Sequence, residues 1–156
     1  MTSTLENMKR TTQAVLEAIR SFQVEEALAL RTDDCMHQML PKSVGRPPMS
    51  NQEFREWAKA VTPMFRTLPM LITTDNEIYD VASRKAALHM FSAADTPAGE
   101  YSNEYAIFLT FNEDGTKISY VGEMVDSAYT VKFLAGVEEY GKNHGGEMAG
   151  VAEAAR

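Results

Sequence analysis

Residues 101–129, YSNEYAIFLTFNEDGTKISYVGEMVDSAY, decide the fold, because they read as a long hairpin that sets carboxylates where apolar side chains should alternate. Two runs rich in Tyr, Ile, Phe, Val and Thr flank Asn112-Glu113-Asp114-Gly115, and the Asp-Gly ending is a strong hairpin signal. At strand spacing Val121, Glu123 and Val125 share one face of the sheet. A carboxylate on an apolar face is expensive to bury and therefore asks for a reason. An edge strand that carries an inward charge, or a strand end that reaches water, is the simplest one. Glu123 is thus a candidate that the rest of the chain has to support.

Working outward, the elements before the hairpin are helical. Leu5, Met8, Val15, Leu16, Ile19 and Phe22 recur at helical spacing behind a Ser3/Glu6 capping box, so residues 4–22 are predicted to form an amphipathic helix. A short helix is expected at residues 25–30. Asp33-Asp34 breaks the pattern, residues 35–40 read as a strand ended by Pro41, and residues 42–49, with Gly45 and Pro47-Pro48, read as a loop. A second capping box, Ser50 to Glu53, opens a helix whose apolar stripe is Phe54, Trp57, Val61 and Phe65, with Pro63 kinking it or restarting its last turn.

After Pro69 the period changes to that of strands, at residues 70–79, 85–93, 101–111 and 117–125. A last helix is expected over residues 129–140. Residues 141–156, with Gly141, Gly145, Gly146 and Gly150, read as a loosely held Gly/Ala-rich tail behind a single domain over residues 1–140. Helices followed by a strand meander give an α+β fold, a curved antiparallel sheet with helices on its concave face. Between those layers an apolar pocket with a few inward polar groups is the expected small-molecule site.

Composition narrows the function. A chain of 156 residues with 44% hydrophobic content can build one core. A net charge of -7 without basic runs argues against nucleic acid or an anionic membrane as partner. No stretch approaches the roughly 18 consecutive apolar residues that span a bilayer, and MTSTLENMKR does not read as a signal peptide, so an intracellular, cytoplasmic protein is expected. The single Cys35 can form no internal disulfide; a small buried hydrophobe fits it better than a nucleophile paired with His37, because no third group orients the pair. Phosphate loops, a GxSxG elbow and HExxH are missing, and three scattered histidines lack the spacing of a metal site. General acid/base chemistry in a closed pocket remains.

The order helix, helix, strand, Pro-rich loop, helix and meander resembles the NTF2-like fold, a cone. The phrases CMHQMLPKSVGRPPMSNQEF, DTPAGEYSNEY, FNEDGTKI and EMVDSAY resemble the small SnoaL-like proteins of fungal polyketide and meroterpenoid clusters, a group that includes isomerases of terretonin- and austinol-type pathways. The likeness spans about residues 4–140. It implies a cofactor-free enzyme, usually a homodimer, that rearranges, cyclises or hydrolyses a polyketide or terpenoid intermediate. The positions it carries across are His37, Asn103, Glu104, Glu123 and Asp126. Relatives place their working carboxylate where either Glu123 or Asp126 stands, and these have opposite parity.

Each candidate has its own physical case. His37, between Met36 and Met39, suits proton transfer, or else is a core histidine bonded to backbone. Glu104 would meet Glu123 across the hairpin if the turn is two residues long, and two carboxylates facing one pocket would set a proton donor beside an acceptor. Asp126, just before Ser127, is better explained as a helix N-cap than as a substrate-binding group. His89, Trp57, Phe54 and Met124 are expected to line the pocket. Met36, Met39, Met49, Met64, Met70 and Met90 also fall in or near it, and adaptable thioethers suit a bulky, greasy ligand as well as an ordinary core. The expected activity is isomerisation or cyclisation. A non-catalytic binding module and a dehydratase or epoxide hydrolase are the alternatives, since fold does not fix function.

Overall fold

A computed structural model describes residues 3–65, 70–146 and 149–154; Pro69, where the sequence changes period, lies outside them. Helix α1 (Thr4–Arg20) starts at the Ser3/Glu6 capping box, with both reciprocal bonds formed. Its apolar stripe buries Met8, Val15 and Leu16. Helix α2 (Val24–Ala29) follows, and then strand β1 (Arg31–Leu40). This strand begins earlier than predicted: Asp33 and Asp34 sit in an irregular, bulged stretch between Arg31 and Met36 rather than ahead of the strand. A bulge lets a strand carry unpaired residues without ending, which is why the acidic pair is not a break.

Helix α3 (Asn51–Val61) starts at the Ser50/Glu53 box and passes into a 3₁₀ turn, Thr62–Met64, that Pro63 opens. The meander comprises β2 (Leu71–Asp80), β3 (Lys85–Thr96), β4 (Gly99–Phe111) and β5 (Ile118–Val125). Helix α4 (Ser127–Asn143) and the short α5 (Ala149–Ala154) close the chain. The sheet order is β1-β5-β4-β3-β2, antiparallel throughout except that β1 joins β5 in parallel. The result is a curved, unclosed sheet whose inner face carries Leu88, Met90, Tyr105, Leu109, Val121 and Val125 against the helices.

Two features set the site's geometry. The hairpin loop spans residues 112–117, with Asn112 N donating to Lys117 O, and the register places Ile107, not Glu104, opposite Glu123. The loop is docked on α1: Asn7 Nδ2 donates to Asp114 O at 2.8 Å and Thr11 Oγ1 to Gly115 O at 3.0 Å. The chain beyond residue 140 is also less loose than its glycines indicate. Helix α4 continues to Asn143, and Val151 of α5 is buried with Val61, Met64 and Val137. Within α5 the only large apolar residue, Val151, stands among Ala149, Gly150, Ala152 and Ala154, so the pattern alone hides it.

Gly115 is required on two counts. Its φ is +77°, and a Cβ would lie 2.8 Å from Met8 Cγ and 2.9 Å from Thr4 O. Gly45, at φ +81°, has open space around it. Gly115→Asn is therefore expected to destabilise the fold by about 2 kcal/mol or more through strain and clash, whereas Gly45→Asn tolerates the left-handed backbone and should stay within about 0.5 kcal/mol. Urea denaturation of both variants measures this; equal, small effects would mean that the loop is not held on α1.

Candidate active site

Parallel pairing of β1 with β5 puts His37 level with Val121 and Met39 level with Glu123, so His37 and Glu123 point into the same layer. The His37 backbone is pinned on its other side by Met49, with two bonds of 2.8 Å. Its ring lies on Phe54, with centroids 5.1 Å apart and planes 17° from parallel, and Phe54 in turn packs on Trp57. His37 Nε2 is 2.7 Å from Glu123 Oε2. The two side chains are 8% and 19% exposed, so the pair is held largely out of water. Glu123 Oε1 makes no hydrogen bond among the described residues, and Glu123 lines a cavity of about 210 Å³.

That wall is overwhelmingly apolar: Leu16, Phe54, Trp57, Met90 and Phe133 are representative. Met39, Met64 and Met70 line it as well, whereas Met49 is buried beside Phe54 in a neighbouring cluster. Beside the His37–Glu123 pair, on the same face of the neighbouring strands β4 and β3, runs a polar strip. Asn103, 5% exposed, donates from Nδ2 to Tyr101 OH at 3.2 Å and to Thr130 Oγ1 at 3.0 Å. Tyr101 and Tyr105 share a short hydroxyl bond, and Ser92 Oγ donates to Tyr105 OH at 3.0 Å. Burial raises the Tyr101 pKa and holds that of Tyr105 well above the ordinary tyrosine range; the nearby Glu123 charge pushes both the same way. Both phenols therefore keep their protons; one is spent on the bond between them, and the other is a donor suited to a carbonyl or developing oxyanion.

Two arginines complete the site, and neither figures among the sequence candidates. Arg31 is 2% exposed, with its guanidinium carbon 4.0 Å from the Phe54 ring centroid and Nη2 3.4 Å from His37 Nδ1. Arg46, from the Pro-rich loop, lines the cavity and donates to the Ala154 carbonyl of α5. Burial lowers the pKa of both arginines, and the Glu123 charge opposes this. Arg31 sits next to the acidic break in the pattern, and Arg46 in a loop, so no periodicity marks them. Tyr101 and Tyr105 were legible in principle, since they alternate with Asn103 along β4.

Four other candidates fall outside the cavity. Glu104 points to the outer face of the sheet, because the register sets it beyond Glu123, where its carbonyl accepts from Asp126 N. It shares that face with His89, whose Nε2 is 2.5 Å from Glu104 Oε1 and whose Nδ1 is 2.6 Å from Asp75 Oδ1. Hydrogen bonds to Glu104 first and Asp75 second raise the His89 pKa. Met124 is also turned outward and is 37% exposed. Asp126 is the N-cap of α4, accepting from Tyr129 N at 3.1 Å. Parity thereby keeps Glu104 from forming a carboxylate dyad with Glu123, and Asp126 is engaged in capping α4.

No family model matches the chain. It is 34% identical over 137 residues to the monooxygenase dmxR10 of Cryptosporiopsis sp. (strain 8999), covering 86% of this chain and 90% of that protein. Among solved structures it is similar to the BvnE pinacolase of Penicillium brevicompactum, at a TM-score of 0.79 and 30% identity over 84% of this chain and 94% of that one. PrhC of Penicillium brasilianum NBRC 6234 superimposes with a TM-score of 0.84 at 23% identity, covering 97% of each chain. The fold is shared with an NTF2-like protein of Burkholderia pseudomallei K96243, at a TM-score of 0.67 and 13% identity over 81% of this chain and 96% of that one.

Proposed function

The chain belongs to the small SnoaL-like proteins of fungal polyketide and meroterpenoid clusters, with their NTF2-like fold, and from this we propose that it is an isomerase or cyclase acting on a polycyclic intermediate of secondary metabolism by general acid/base catalysis. One observation carries the reading: Glu123 lines an apolar cavity with one oxygen tied to His37 and the other without a hydrogen bond among the described residues. A carboxylate so placed takes a proton from a substrate carbon or hydroxyl and returns it elsewhere on the same molecule, which leaves the mass unchanged. Of the hydrogen-bonded Tyr101 and Tyr105 hydroxyls, the one that does not donate to the other supplies a hydrogen bond to the oxygen on which charge develops. Trp57 and Phe54 hold the rings of the substrate, and Asn103 keeps the phenols aligned. In an enclosed apolar site each of these interactions is stronger than in water.

A second reading is favoured by the name of the relative dmxR10, a monooxygenase. The same carboxylate would generate a phenolate or enolate that reacts with dioxygen, one oxygen atom entering the substrate and the other leaving as water with two substrate hydrogens. Incubating the protein with metabolite extract of a strain that lacks it, under nitrogen and under ¹⁸O₂, separates the two. Under nitrogen an unlabelled isomer should form as fast as in air; a product that needs oxygen and carries the label would overturn the isomerase reading. Glu123→Gln is expected to cut turnover by about 10²-fold or more while ligand still binds, within the usual range for one general acid/base. Unchanged turnover would instead favour Asp126 or a carrier role.

We further propose a cytoplasmic homodimer that pairs the outer faces of two sheets. Phe91, Phe108, Met124 and Met36 stand on that face at 38%, 42%, 37% and 36% exposure, beside the polar Glu104 and His89, and several exposed large apolar residues on one sheet face mark an interaction surface. Sedimentation equilibrium should give twice the 17.4 kDa chain mass, and Phe108→Lys should return it to one. Wild-type protein that stays at the single-chain mass at micromolar concentration would contradict the pairing.

A further inference from the structure

His37 is hydrogen-bonded at both ring nitrogens, and the partners differ in kind. Nε2 faces a carboxylate oxygen, which accepts, and Nδ1 faces Arg31, which only donates. A guanidinium has five N–H groups, no acceptor, and keeps its charge in proteins. Nδ1 can therefore meet Arg31 only with its lone pair, because an N–H there would set donor against donor. The proton of the neutral ring then lies on Nε2, 2.7 Å from Glu123 Oε2, and is donated to it. The opposite tautomer would make Nε2 an acceptor and would require Glu123 to hold the proton. Which nitrogen carries the proton thus decides whether Glu123 starts the cycle as a base or as an acid.

Arg31 is placed for this task, although it is also one of the residues that line the cavity. Its Nε and Nη1 are both buried and without a hydrogen-bond partner among the described residues, and one face of its guanidinium is covered by Phe54. The other charged groups around the ring are Glu123 and Arg46, and Arg46 is drawn towards α5. We infer that Arg31 is a positioning residue: it fixes His37 as the Nε2–H tautomer, and His37 in turn holds Glu123 as a carboxylate whose Oε1 is turned to the substrate. The part concerning Glu123 rests on the reading of that residue as the working acid/base; the tautomer does not. A substrate proton then passes to Oε1 and is later delivered from Oε1 to another substrate atom, while His37 keeps its own proton throughout. This separates the roles of the pair, with Glu123 touching substrate and His37 orienting it.

Long-range ¹H–¹⁵N spectra of the full chain labelled at histidine nitrogen test this at neutral pH. The chain has three histidines, so His89→Gln and His144→Gln variants assign the signals of His37. The expected pattern for His37 is a protonated Nε2 and an unprotonated Nδ1. In Arg31→Met the Nδ1 signal should move upfield towards the protonated range as the lock is lost, and turnover should fall. Arg31→Lys, which restores a donor, should bring back the wild-type pattern and part of the turnover. A wild-type Nδ1 that carries a proton would overturn the inference, whether or not Arg31→Met folds. A folded Arg31→Met with an unchanged His37 pattern would overturn it too. Fully active Glu123→Gln with the Nε2–H pattern intact would instead sink the catalytic assignment of Glu123 and leave the tautomer lock standing.

Discussion

The hydrogen bond between His37 and Glu123, formed across 86 residues of sequence, is the contact on which the site depends, and it exists because β1 pairs with β5 in parallel. Parallel pairing puts residues of equal level on one face. Shifting β1 by one residue would turn His37 to the outside and bring Met36 in, so the pair also reports the register. The register is held from both sides. Met49 bridges the His37 backbone, and the bulge after Arg31 absorbs the acidic residues that would otherwise force the strand to end. Long-range closure of this kind is entropically costly, and the docking of the hairpin loop on α1 helps to offset it.

Enclosure gives the pair its chemical meaning. The helices and the inner sheet face hold the carboxylate largely out of water while Glu123 still lines the cavity. An ionised carboxylate in such a place is stable only with partners, and His37 provides one while Arg31 and Arg46 add positive charge nearby. The polar strip of Asn103, Tyr101, Tyr105 and Ser92 lines the same cavity from the neighbouring strands, so proton acceptor and hydrogen-bond donor share one space. Val151 of α5 packs over part of the wall, and the bond from Arg46 to Ala154 ties this helix to the Pro-rich loop.

Strand parity made much of this legible. The run Val121-Gly122-Glu123-Met124-Val125 reveals the inward carboxylate, and the helical stripe reveals Phe54 and Trp57, all of which line or border the cavity. Parity along β4 also carries the information that Glu104 lies with Ser102 and Ala106 on the outer side, but it becomes usable only when the hairpin loop length is known. An Asp-Gly pair signals a tight turn, and here it sits within a longer loop whose shape comes from packing on α1. Met124 follows the inward Glu123 and His89 lies between the inward Leu88 and Met90, so the same alternation puts both on the outer face, against the expectation that they line the cavity. Arg31 and the anchoring of α5 are tertiary facts: one depends on a bulge, the other on a single buried valine among glycines and alanines.

Proton exchange on a simple ketone probes the free oxygen of Glu123 most directly. α-Tetralone, bound in the cavity and followed through quenching of the single Trp57, carries exchangeable hydrogens beside its carbonyl. In deuterated buffer the protein should speed deuterium uptake at that carbon well above the buffer rate, and Glu123→Gln should bring the rate back to that of buffer with tetralone still bound. Bound tetralone that exchanges no faster than in buffer, or that exchanges equally in both proteins, would contradict a cavity in which Glu123 is the acting base.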